Sequence, residues 1–213
     1  MWTVRIEPVP QERPSLAAVA RALRTRVFVG GLALMALPAL LFGVLSTLAP
    51  LHLSAAGWGA AAIGAIWLVG AALEAALSPV TGRFLDRRGA SLPIQIALGL
   101  SAAVSIGLAL GPRPLAYVPL IILAAGAYGV LFTPAFTLIA DGAEESGLPQ
   151  GMAFGLMNAS WALGALLGPL AGGAIASASG DVAPFLVAAG LCATAWMAVR
   201  RARRRLESAA QGA

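Results

Sequence analysis

Six apolar stretches, each near the length needed to cross a lipid bilayer, leave this chain few ways to fold. They run over Val27–Leu53, Gly59–Val80, Ser91–Leu110, Leu115–Ala140, Met152–Ala178 and Val182–Val199. A hydrocarbon core of about 30 Å takes about 20 apolar helical residues to cross. Of all the Asp, Glu and Arg side chains, only Glu74 falls inside a stretch. Charged residues make up 11% of the 213-residue chain, against about 25% in an ordinary soluble domain. A chain this short cannot hide that deficit in a larger core, so most of its solvent is lipid. The predicted fold class is an all-α membrane protein with six transmembrane helices and no separate soluble domain.

The arginines set the orientation. The chain has no lysine. With the N-terminus placed in the cytoplasm, Arg5, Arg13, Arg21, Arg24 and Arg26 lie inside, as do Arg83, Arg87 and Arg88 and then Arg200, Arg201, Arg203, Arg204 and Arg205. Only Arg113 falls outside. This is the positive-inside bias, and it predicts a multi-pass protein of the cell membrane with both termini cytoplasmic. It also accounts for the net charge of +5 without nucleic acid. The cluster Arg200–Arg205 directly follows a span and reads as an anchor to anionic lipid. The expected organisation is a cytoplasmic tail or linker at 1–26, a membrane domain at 27–199 and a basic cytoplasmic tail at 200–213.

Pro8, Pro10 and Pro14 mark the start as an extended tail. Ser15 can cap a short helix that places Leu16, Val19, Leu23 and Val27 on one face. Such a helix would lie along the inner membrane surface or simply extend span one. Glu7 and Glu12, ahead of a 27-residue apolar run, exclude a secretory signal. The single Cys192 gives no disulfide framework or metal site and reads as a small apolar filler. No cofactor is expected, since a phosphate loop of the usual kind needs a lysine.

The connections between spans are short. Ser54–Trp58, Gly111–Pro114 and Ser179–Asp181 are the outer loops, and Gly82–Gly89 and Asp141–Gln150 the charged inner ones. Asp141, Glu144 and Glu145 lie in the second of these. The first, Gly82-Arg-Phe-Leu-Asp86-Arg87-Arg88-Gly89, reads as a tight turn with one carboxylate among guanidiniums. That carboxylate can cap a helix N-terminus or pair with an arginine of another helix, or the segment is an ordinary charged loop. Gly164-Ala-Leu-Leu-Gly168 and Gly168-Pro-Leu-Ala-Gly172 are overlapping ridges of small residues, the pattern that lets helices approach closely in lipid. Pro38, Pro79, Pro119, Pro134 and Pro169 in or beside spans predict bent helices.

Two of these segments, in order and on the matching spans, resemble signatures of the major facilitator superfamily. The Gly82–Gly89 pattern is similar to the loop between its second and third helices. The run Gly164, Gly168, Pro169, Gly172 and Gly173 is similar to a fifth-helix signature of its drug-efflux members. The resemblance covers about residues 15–205. Phe84 replaces the usual Leu, Ala90 and Ser91 replace basic residues, and span four has no arginine. These departures make the chain similar to the C-terminal half, helices seven to twelve. The resemblance implies a 3+3 inverted-repeat bundle and transport of a small organic solute by alternating access. It also implies a partner, either a missing N-terminal half or a second copy in a parallel dimer, because the family's cavity lies between two halves. In the family the equivalent of Asp86 meets the other half.

Glu74 is the leading candidate for chemistry. It lies about eight residues before Gly82, hence about 12 Å in from the cytoplasmic end, and an ionisable residue inside a membrane is expensive unless it has a function. Trp67, Ala71, Glu74 and Ser78 share one helical face. The reading is proton coupling or cation recognition, with a hydrogen-bonded structural glutamate as the alternative. Asn158 and Trp161, one turn apart on span five, are further substrate candidates, followed by Tyr128, Thr133 and Thr137 on span four. Phe132 and Phe136 read as packing against lipid or neighbouring helices, and His52 as an interfacial residue or a pH-responsive one. A non-transporting membrane subunit, or an inactive fragment of a split or truncated transporter, is the competing function. An intramembrane serine protease is not supported, since no Gly-x-Ser-Gly turn occurs and His52 is alone at a membrane edge.

Overall fold

The computed structural model describes residues 16–111 and 113–211. The tail before Leu16, including Pro8, Pro10, Pro14 and the expected cap Ser15, lies outside the described residues. Eight helices follow in order: α1 Leu16–Ala22, α2 Arg26–Ala55, α3 Ala60–Arg88, α4 Ser91–Ala109, α5 Pro114–Gly129, α6 Phe132–Ser146, α7 Gln150–Ser179 and α8 Val182–Gln211. Six spans are long and apolar enough to cross a membrane, with α5 and α6 together forming the fourth.

The break within that span has a local cause. Pro134 lacks an N–H, so the carbonyl of Val130 loses its usual donor and also meets the proline ring. The chain responds at Val130–Leu131. There the Leu131 N–H bonds Tyr128 O, three residues back, at 3.2 Å instead of closing a full α turn.

The charged segments expected as inner loops are more helical than their composition suggests. Gly82 to Arg88 is the last part of α3 and not a turn; the turn begins only at Gly89, with φ 71°. Likewise α6 runs to Ser146 and ends on Gly147, in the left-handed conformation with φ 65° that glycine adopts without strain. α8 carries the arginine cluster onward as helix to Gln211. The physical reason is common to all three. Charge marks where a helix leaves hydrocarbon, but it does not interrupt the backbone ladder; glycine in a left-handed conformation does.

α2 is the central post, with α7 along one side and α6 along another. α3 packs on α5, and α4 packs on α8. These pairings repeat when spans one to three are exchanged for spans four to six. Span one against five becomes four against two, and three against six maps onto itself. The arrangement is therefore a 3+3 bundle. α1 lies against α6 through Ala18 and Ala22, while Leu16 and Leu23 are exposed.

Close backbone approach holds the α2–α7 seam. A methyl group on Gly164 would strike the carbonyl oxygen of Ala36, and one on Gly168 the carbonyl oxygen of Leu40. One on Gly172 would lie 3.1 Å from Val44, and one on Gly43 would lie 2.6 Å from the Pro169 ring. Gly173 faces open space, so it takes no part in the seam. The Ser160 hydroxyl donates across it to Leu32 O at 2.7 Å. Gly168→Ala is therefore expected to lower the stability of the detergent-solubilised protein by about 1–3 kcal/mol, the usual cost of overpacking. Gly173→Ala is expected to leave it unchanged, as measured by thermal unfolding followed by circular dichroism.

Candidate functional site

An open cleft of about 590 Å³ lies between α3 and α7. Its floor is Met35 of α2 with Phe132, Thr133 and Phe136 of α6. Glu74 and Ser78 line it from α3, and Met157, Asn158 and Trp161 from α7. A neighbouring cleft continues along α2 and α7 past Phe42, Ser46 and Pro169, sharing Phe132 and Trp161. Neither α4 nor α8 contributes, because those two helices pack on each other at the back of the bundle.

Glu74 reaches the cleft because of what lies behind it. Along the α3–α5 seam, a methyl on Gly70 would meet Ala125 at 2.9 Å, and one on Gly126 would meet Leu73 at 3.0 Å. One turn further, the Glu74 side chain rests on the bare Cα of Gly129, where any added methyl would overlap its carboxyl carbon. Gly129 is the last residue before the α5–α6 break, so the carboxyl sits beside the bend that Pro134 creates. Ser78 spends its hydroxyl on the Glu74 carbonyl at 2.9 Å. Among the described residues, no hydrogen bond or ion pair reaches the Glu74 carboxyl, and none reaches the Asn158 amide. Both groups are left free to bind something within the cleft.

Several side chains fall elsewhere than the sequence suggests. Tyr128 is 1% exposed and buried behind the cleft. Its hydroxyl donates to Ser105 Oγ at 2.8 Å, since Ser105 gives its own proton to Ser101 O at 2.7 Å. Trp67 shares a face with Glu74 but packs on the outer apolar cluster. Phe132 and Phe136 line the cleft, Phe132 stacked at 6.2 Å on Phe42 and Phe136 half-exposed. Thr137 returns its hydroxyl to Thr133 O at 3.4 Å. The His52 ring lies 4.4 Å from that of Tyr117, tilted by 31°, far along α2 from Met35, and Cys192 is buried in the apolar core. Met35, Met157 and Gly129 were missed. Only the short Gly126–Gly129 spacing ahead of Pro134 hinted at the last.

Asp86 lies in the final turn of α3, exposed, and makes no ion pair among the described residues. A carboxylate near a helix C-terminus is unfavourably placed, whereas Arg87 and Arg88 suit that end. At the end of α8, the Arg200 guanidinium sits 5.0 Å over the Trp196 ring, an anchor typical of a membrane interface. Among the described residues, no three His, Cys, Asp or Glu side chains come together as metal ligands would.

A bundle of six membrane-length spans among the described residues, with a largely apolar cleft that carries a few polar groups and opens along one flank, is an architecture suited to a membrane transport protein. The family model described as Major Facilitator Superfamily matches residues 2–151, more than half the chain, and the chain belongs to that superfamily of transporters. No curated protein matches it.

Tyr128→Phe removes one buried donor while Ser105 keeps its bond to Ser101. It is expected to cost about 1 kcal/mol of stability and to leave solute binding in the cleft unchanged, as checked by thermal unfolding and a binding titration on the same preparation.

Proposed function

We propose that this chain is one half of a secondary transporter that moves a small organic solute by alternating access, with Glu74 carrying the coupling proton or pairing with a cationic solute. The observation that carries this is the free carboxyl of Glu74 facing the free amide of Asn158 across an open cleft. A half-buried carboxyl normally finds a partner; Glu74 has none among the described residues, and the exposed Asn158 amide lies open at the same cavity, so the two together point to a ligand. Trp161, Phe132 and Phe136 offer aromatic faces beside the carboxylate, a setting that favours an organic cation. Efflux, helices seven to twelve of a longer carrier, and cytoplasmic termini complete the proposal.

The uncovered flank supports a partner half. α3 and α7 are the least buried helices, and they border the cleft. Leu68, Val69, Leu163, Leu166 and Leu170 are exposed along them. The partner is an N-terminal half or a second copy in a parallel dimer, either of which would also give Asp86 a counter-charge.

Reconstituted with its partner half in liposomes under an imposed pH gradient, the protein is expected to drive transport of a lipophilic cation, and Glu74→Gln to abolish it. Full transport by Glu74→Gln with an unchanged pH profile would overturn the role given to this carboxyl. Orientation is tested separately in a Cys192→Ala background. Ala90→Cys and Ala202→Cys are expected to react with an impermeant thiol reagent from the cytoplasmic side and Ala116→Cys from the other. Labelling of the first two from opposite sides would sink the topology.

A further inference from the structure

On the back of the bundle, a second groove of about 440 Å³ runs between α3, α4 and α5. Its α3 wall is Leu73, Leu77, Thr81 and Phe84, and it closes against α4 from Pro93 to Val104 and α5 from Leu123 to Val130. The lining is apolar throughout except for Thr81, whose hydroxyl is already bonded to Leu77 O at 2.9 Å. Nothing polar is left in the groove to hold a solute, so it differs in kind from the cleft at Glu74.

Its dimensions and its ends select an occupant. From Leu73 to Phe84 the groove follows α3 for about 16 Å at the helical rise. That is about half of a hydrocarbon core of about 30 Å, the depth of a single leaflet. The deep end stops at Leu73, and the other end runs out to the last turn of α3. The stripe Leu73, Leu77, Thr81, Phe84 continues on the same helical face to Arg88, with Arg87 at its edge. Asp86 falls on the opposite face of the helix, away from the mouth. α4 begins beside the mouth at Ser91, adding the partial positive charge of a helix N-terminus. The groove thus offers an apolar slot one leaflet deep with positive charge at its entrance.

We propose that the groove is a binding site for one anionic phospholipid of the arginine-bearing leaflet. An acyl chain lies between α3, α4 and α5, and the headgroup phosphate pairs with Arg88, flanked by Arg87. The proposal does not depend on which solute the cleft takes.

Native mass spectrometry of the full chain, released from detergent micelles carrying either phosphatidylglycerol or phosphatidylcholine with identical acyl chains, tests it. The wild-type protein is expected to retain one phosphatidylglycerol and about fivefold less phosphatidylcholine, the factor associated with one arginine near an anionic surface. Arg88→Gln is expected to bring phosphatidylglycerol down to the phosphatidylcholine level. Arg113→Gln, at the other membrane face, is expected to retain it as the wild type does. Leu100→Trp, which fills the groove from α4, is expected to lose both lipids. Equal retention of the two lipids by the wild-type protein, or wild-type retention of phosphatidylglycerol by either Arg88→Gln or Leu100→Trp, would overturn the proposal.

Discussion

Helices in hydrocarbon gain nothing by hiding apolar side chains from one another, since lipid tails are equally apolar. What remains is contact between surfaces close enough for dispersion and for weak backbone dipoles to count. The seam of α2 with α7 is where this chain meets that condition most fully. Gly43 of α2 opposes Pro169 of α7, and Gly164, Gly168 and Gly172 face the carbonyls and side chains of α2. With that seam closed, α2 can act as the post on which α6 also packs, and the cleft is held open between α3 and α7. The α3–α5 seam uses the same device on the other repeat, with Gly126 and Gly129 receiving Leu73 and Glu74. Each glycine there makes room for a larger side chain, and one of those side chains is that of Glu74.

The site is thus a product of packing rather than of any local motif. Glu74 faces the cleft because Gly129 gives it a surface to lie on, and Phe132 and Thr133 face it because Pro134 breaks the span just before them. Asn158 and Trp161 are presented by α7 only in the orientation that the glycine ridge dictates. These groups come from three separate spans and converge through two seams of small residues.

Most of the fold was legible in the sequence because lipid imposes a simple rule. Long uncharged runs must be helices that cross, and the arginines divide one membrane face from the other. Two polar residues of the cleft were legible for the same reason: a carboxyl at position 74 and an amide at 158 stand out where nearly everything is apolar. What the sequence did not disclose was register between helices. Trp67 and Glu74 share a face of α3, yet only Glu74 meets the cleft, since the outer part of α3 packs against the apolar cluster. Tyr128 looked like a cavity residue, but the approach of α4 buries it beside Ser105. Gly173 belonged to the same run as Gly172 yet faces open space. The charged segment at Gly82–Arg88 looked like a loop because loops are polar, whereas hydrogen bonds in a helix are indifferent to side-chain charge that water can reach.

The pairing of spans also dictates an order of assembly. Ser160 and Leu32, joined across the tightest seam, are 128 residues apart. No early-inserted group of helices can form that contact. α2 enters the bilayer with its glycine and its carbonyl row uncovered and waits through three further spans before α7 arrives. α8, inserted after α7, must then find α4 at the back. The first three spans touch one another little, so they have few contacts of their own before the later spans arrive. Such distant pairings slow folding, so the bundle's vulnerable period is the interval during synthesis when α2 stands without its mate.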